Sequence, residues 1–95
     1  MTQHPIDSNV IAARIREFIA RDILFSSGAF PYDDDASFLE EGIIDSLGVM
    51  ELVGFVQKEF EFPVEQDDVL PENFGSVASL TQYVAARARA PVANS

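Results

Sequence analysis

Catalysis needs side chains that attack, move protons or hold a metal, and this 95-residue sequence offers few. There is no Cys, which removes disulfides and thiolate chemistry. The single His, His4, lies in a polar stretch beside Pro5. With no second His and no Cys, neither a zinc site nor a Ser-His-Asp triad can be assembled from this chain. Asp33-Asp34-Asp35 invites a calcium reading, but an EF-hand loop needs Gly at its sixth position and Glu at its twelfth. Counted from Asp33 those positions hold Phe38 and Ile44, so the run is read as a solvated turn and no metal site is expected. What remains is Ser46, in Gly42-Ile43-Ile44-Asp45-Ser46-Leu47. No base accompanies it in sequence. A serine displayed without being activated suits attachment of a group better than nucleophilic catalysis.

The elements around Ser46 can be read from periodicity. Ile11, Ile15, Phe18, Ile19 and Ile23 form one helical stripe, with Arg14, Arg16, Glu17 and Arg21 off it. Asp7 or Ser8 can cap this helix, expected over 8–24. Ser26-Ser27-Gly28 and Pro31 then open a long connection to residue 45. Phe38, Leu39, Ile43 and Ile44 should pin it to the core, and Ser37-Phe38-Leu39-Glu40 matches a capping box for one turn near 37–41. A second helix is expected over 46–60. Val49, Leu52, Val53, Val56 and Phe60 face inward, while Leu47, Met50 and Gly54, with Glu51, occupy a neighbouring face. That extra apolar face has the look of a partner surface. Gly54 either leaves a flat spot for a partner or marks close helix–helix packing. Phe62-Pro63 ends the helix. A short third helix is expected over 66–70, stopped by Pro71, and Asn73-Phe74-Gly75-Ser76 reads as a turn with Ser76 capping a last helix over 77–88. Val77, Leu80, Val84 and Tyr83 should face inward there, with Phe74 as a core anchor.

The expected class is therefore all-α: a four-helix bundle of three main helices plus a short helix 3, with a long first loop. One domain over 8–89 is expected between flexible tails at 1–7 and 90–95. Sixteen acidic and six basic residues give a net charge of −10. Such a field repels nucleic acid and anionic membranes and suits docking onto basic partners. No apolar run approaches the ~18 residues of a membrane span, and no signal peptide is visible, so a monomeric cytoplasmic protein is expected.

Ser46 alone reads as a helix cap, or as the first helical residue with Asp45 as cap. Its setting shifts the balance toward attachment, because a helix start offers free N–H groups and partial positive charge to a phosphate. Asp45-Ser46-Leu47, followed by Glu51-Leu52-Val53 and Phe60, resembles the acyl/peptidyl carrier protein family. Phe38 before the serine, Pro63 after helix 2 and Asn73-Phe74 before helix 4 agree with it. The resemblance covers nearly the whole chain. It implies that Ser46 carries 4′-phosphopantetheine, installed from coenzyme A by a phosphopantetheinyl transferase using magnesium. It further implies a non-catalytic shuttle that holds an acyl or aminoacyl thioester and delivers it to acyl-processing enzymes. Asp45 and Leu47 would flank the attachment point. Leu47, Met50, Glu51 and Gly54 would meet partners, and Val69 and Leu70 would border the arm.

Fatty-acid carriers usually show Leu-Gly-Ala-Asp-Ser-Leu before a strongly acidic helix 2. Here Ile43-Ile44 replaces Gly-Ala, Gly48 stands where an acidic residue is common, and Gln57-Lys58 dilutes the acidic face. The pattern resembles discrete aminoacyl or acyl carriers loaded by an adenylate-forming ligase, of the kind found in natural-product biosynthesis. The alternatives are a D-alanyl or fatty-acid carrier, or an unmodified acidic adaptor that binds a partner through helix 2. A hydrolase lacks any suitable base.

Overall fold

The computed structural model describes residues 7–26 and 28–88. The tails expected at 1–7 and 90–95 lie outside the described residues apart from Asp7, as does Ser27 of the expected helix break. Helix α1 spans Ser8–Phe18 and runs on through a π-helical turn at Ile19–Ile23. Helix α2 spans Ser46–Phe60, a 3₁₀ turn covers Gln66–Asp68, α3 spans Pro71–Phe74 and α4 spans Val77–Ala88. There is no strand among the described residues, so the all-α bundle expected from the sequence is the fold.

Each main helix forms because one stripe is apolar and its ends are satisfied. Asp7 caps α1 by accepting from the Asn9 N–H at 2.8 Å. Ile11, Ile15 and Ile19 are fully buried, whereas Phe18 and Ile23 of the same stripe are half-buried. From α2, Leu52, Val53 and Val56 enter the core, with Val49 and Phe60 packed at its margin. Phe18 of α1 stacks on Phe55 of α2 at 4.2 Å between ring centroids, and Arg14 pairs with Glu59 across the same helices. Val77, Leu80, Tyr83 and Val84 of α4 close the core. Helix α2 stops at Phe60 because Glu61 turns left-handed (φ 61°), two residues ahead of Pro63.

Helix 3 departs from expectation. The segment 66–70 forms only a 3₁₀ turn, and Pro71 begins a helix rather than stopping one. Proline suits a first helical position, where its missing N–H would have no partner and its fixed φ is already helical. Asn73 and Phe74, expected in a turn, are the last residues of that helix, and the turn is confined to Gly75-Ser76. Gly75 is required there, since a Cβ on it would stand 2.2 Å from the Pro71 carbonyl oxygen. Ser76 caps α4 as expected, its Oγ accepting from the Ser79 N–H at 3.1 Å.

The long loop is held by Phe38, which is fully buried. Its N–H donates to the Gly75 carbonyl at 2.8 Å, and its own carbonyl accepts from Ile43 and Ile44 at 2.8 and 3.1 Å. Ile43 and Ile44 are buried beside it. Leu39 is not the anchor expected; it is 54% exposed. Ser37 does cap a single turn, its Oγ accepting from the Glu40 N–H at 3.2 Å. Of the acidic run, Asp34 is tied down. Its carboxylate meets Arg16 of α1 at 2.9 Å, and its carbonyl accepts from the Ala78 N–H at 2.9 Å at the start of α4.

Candidate functional site

The loop delivers the chain to α2 at a rigid corner. Gly42 takes a left-handed φ of 70°, which glycine adopts without steric cost. Ile43 and Ile44 then drop into the core, and Asp45 returns to the surface as the helix cap. Its carboxylate accepts from the Gly48 N–H at 2.8 Å, and its carbonyl accepts from the Val49 N–H at 3.0 Å. The first four N–H groups of a helix have no partner within it. Asp45 takes one of them through its side chain, so the cap is Asp45 and not Ser46. Ser46 is the first helical residue and is exposed.

Gly48 explains how the corner is made so tight. It is buried, and a Cβ there would lie 2.5 Å from Cγ2 of Ile44 and 3.3 Å from the Asp45 carboxylate. The residue is glycine because the isoleucine that anchors the loop packs directly under the first turn of α2. In the sequence Gly48 stands as a missing acidic residue and as the end of the Gly42–Gly48 pattern; the close approach of Ile44 is visible only in the fold.

The other expected site residues fall into two groups. Leu47 and Met50 are 70% and 58% exposed, and Glu51 and Gly54 are exposed with them. Spacings of three and four put these residues on one side of α2. A Cβ added at Gly54 meets nothing within 4 Å among the described residues, so the close helix–helix packing offered as one alternative is not found among them and the spot is flat and open. Val69 and Leu70 belong to the second group. With Leu39, Val49, Pro71 and Phe74 they line an apolar cavity of about 110 Å³. Val49, which lines this cavity, lies one turn along α2 from Ser46. Leu39 was expected in the core and instead forms part of this rim.

Tyr83, Asp68 and Arg87 tie the 3₁₀ turn that precedes Val69 and Leu70 to α4. The Tyr83 hydroxyl donates to Asp68 at 2.9 Å, Arg87 pairs with the same carboxylate, and the guanidinium sits 5.2 Å from the Tyr83 ring centroid. Burial, and then the hydrogen bond to Asp68, push the Tyr83 phenol up to about 12. Asn73 Nδ2 donates to the Asp68 carbonyl at 2.9 Å. The 3₁₀ turn is thereby clamped to α4 although it buries no residue of its own.

The corner fits a phosphodiester-linked arm. An exposed hydroxyl stands at the positive end of a 15-residue helix, and an apolar cavity lies within one turn for the neutral part of such a group. No group of three or more His, Cys, Asp or Glu side chains able to hold a metal occurs among the described residues. Nor is any helix among them long and apolar enough to cross a membrane.

A protein-family model described as the phosphopantetheine attachment site matches residues 9–84. No curated protein sequence matches the chain. The matched span takes in α1, the long loop, α2, the 3₁₀ turn, α3 and most of α4, and so includes every element that builds the corner. On that match and this fold, the chain belongs to the phosphopantetheine-binding family: it is a carrier domain of the acyl/peptidyl carrier type, which bears covalent 4′-phosphopantetheine, works with phosphopantetheinyl transferases and acyl-processing enzymes, and is not itself catalytic.

Proposed function

We propose that Ser46 is the attachment residue and that the chain holds an acyl or aminoacyl group there as a thioester for delivery to partner enzymes. The observation that carries this is the division of labour at the corner: Asp45 takes the cap, which leaves the Ser46 hydroxyl exposed and uncommitted at a helix start. The attached arm ends in a thiol, which supplies the thioester chemistry that a chain without Cys lacks. The protein's part is to present an oxygen and to hold it still. In attachment, the Ser46 oxygen forms the new bond to phosphorus and gives its proton to a base on the transferase. The diphosphate bond of coenzyme A breaks, and adenosine 3′,5′-bisphosphate leaves. The helix dipole of α2 then favours the phosphodiester anion. Leu47, Met50, Glu51 and Gly54 form the face that partners meet, and Val69 and Leu70 border the arm.

Within this class we favour a free-standing aminoacyl or acyl carrier of natural-product biosynthesis, cytoplasmic and monomeric, charged by an adenylate-forming ligase. The support is the Gly42-Ile43-Ile44-Asp45-Ser46-Leu47-Gly48 pattern and a helix 2 face whose acidity Lys58 and Gln57 dilute. The purified chain, incubated with coenzyme A, magnesium and a broad-specificity transferase, should gain one phosphopantetheine by intact mass. The Ser46→Ala variant should gain none. An unmodified wild type, or an adduct that survives the substitution, overturns the assignment. Mass spectrometry of protein from its native host then identifies the cargo, and a fatty acyl or D-alanyl group there would displace the natural-product reading.

A further inference from the structure

Phe25 combines two features that a folded chain ordinarily avoids. Its backbone is left-handed (φ 53°), and its side chain is 83% exposed. The cause of the first is the end of α1. The π-helical turn closes with the Leu24 N–H on the Ile19 carbonyl at 2.8 Å, and the Ser26 N–H reaches back to the Ala20 carbonyl at 2.7 Å. The residue between them must turn left-handed, and helices normally place glycine there. Nothing among the described residues repays an aromatic at that position. Phe25 is not among the apolar residues packed against the core.

The side chain lies beside the attachment corner. Phe25 lines a hollow of about 370 Å³ together with Asp22, Gly42, Asp45, Leu47 and Glu51. Phe25 and Leu47 are thus two exposed apolar groups bordering the hollow next to Ser46, and three carboxylates stand between and around them. Arg21 is the cation nearest in sequence, and it is engaged with Glu17 at 3.6 Å and Asp22 at 3.4 Å. A surface of this sign repels a second copy of a chain carrying −10. It suits a cationic protein surface with an apolar pocket. Coenzyme A is a polyanion, so the enzyme that brings it to Ser46 must present cations around it.

We infer that Phe25 is an aromatic docking anchor for the phosphopantetheinyl transferase, seated in an apolar pocket rimmed by Arg or Lys while Asp22, Asp45 and Glu51 meet that rim. The inference rests on the assignment of Ser46 as attachment residue. It extends the partner surface from α2 to the end of α1. It also accounts for the aromatic on a strained backbone, because large aromatics at interface centres carry much of the binding energy.

The test is steady-state modification of the apo chain by a broad-specificity transferase with coenzyme A and magnesium, with melting temperature measured in parallel. Phe25→Gly removes the ring and suits the left-handed backbone, so its melting temperature should equal or exceed that of the wild type. Its KM for the carrier chain should rise at least about fivefold, the loss expected of an interface anchor, with kcat unchanged. Phe25→Asn, which tolerates the same backbone, should behave likewise, and Phe25→Tyr should keep the wild-type KM. An unchanged KM in Phe25→Gly with the wild type still modified at Ser46 overturns this inference alone. A lowered melting temperature in Phe25→Gly also overturns it, because the ring would then be holding the fold. A wild type that takes no phosphopantetheine removes the Ser46 assignment and this inference with it.

Discussion

Asp45 and Ser46 are neighbours with separate work, and substitutions should separate them. Asp45→Ala removes the α2 cap, and loss of an N-cap costs about 0.5–2 kcal/mol. Ser46→Ala touches no hydrogen bond of the cap and is exposed, so its stability should stay within about 0.5 kcal/mol of wild type. Urea unfolding of both variants checks this, and equal losses would mean that Ser46 shares the cap. Thr81 offers a second case. Its hydroxyl is buried without a hydrogen-bond partner among the described residues, and burial of an unpaired hydroxyl costs about 1–3 kcal/mol by protein measurements. Thr81→Val, which keeps the shape, should therefore raise the melting temperature. Tyr83 carries the pH dependence. Its pKa is raised from 10.0 to about 12 in the fold, so the folded state holds its proton more tightly than the unfolded state does. The stability this contributes is complete below pH 10 and is lost as pH rises toward 12. Unfolding measured at pH 9 and pH 11.5 should show a steeper alkaline loss in wild type than in Tyr83→Phe.

At the level of elements, the two glycines of α2 should respond in opposite directions. Gly54 faces open space, so Gly54→Ala gains helix propensity and should stabilise by up to about 1 kcal/mol. Gly48 lies against Ile44, whose β-branched side chain is stiff and whose methyl would meet the new Cβ at 2.5 Å. Gly48→Ala should destabilise by about 1–3 kcal/mol through overpacking, which outweighs the propensity gain. Thermal melts of the two variants decide it, and a stabilised Gly48→Ala would show that the corner is loose. The two ends of this helix are thus built differently. Its start is fixed by an anchored loop and a glycine pressed on isoleucine. Its end is a left-handed Glu61 before Pro63. Pro71 at the start of α3 and Gly75 under its carbonyl show the same logic in four residues, where steric fit sets the element rather than length or amphipathicity.

Across the whole molecule, charge opposes compactness. A chain with net charge −10 and a radius of gyration of 13.2 Å keeps its charges within reach of one another at low salt. Ion pairs such as Arg21 with Glu17 are exposed and contribute little. Salt shortens the screening length from about 30 Å at 0.01 M to about 3 Å at 1 M, so it should relieve more repulsion than attraction. The melting temperature should rise as NaCl increases over that range, and a fall would mean that the α1 pairs from Arg14 and Arg16 dominate. The same acidity should make docking to a cationic partner weaken with salt.

Periodicity and composition were enough to locate α1, α2 and α4, because an amphipathic stripe is a local property that each segment carries in its own order of residues. The family was legible for a similar reason: Asp45-Ser46-Leu47 sits at a boundary that the apolar pattern marks by itself. Four things required the folded chain. Asp45 rather than Ser46 caps α2, because the choice depends on which oxygen reaches the Gly48 N–H. Pro71 starts a helix, because Gly75 allows the chain to close beneath it. Leu39 leaves the core for a cavity rim, because Phe38, with Ile43 and Ile44, fills the space under the loop and bonds to Gly75. Phe25 stands out beside the corner that bears Ser46, because the π-helical turn of α1 reverses its backbone there. Each of these turns on an atom-level fit, a contact between residues distant in sequence or the sign of one dihedral angle, and none is written in the spacing of apolar residues.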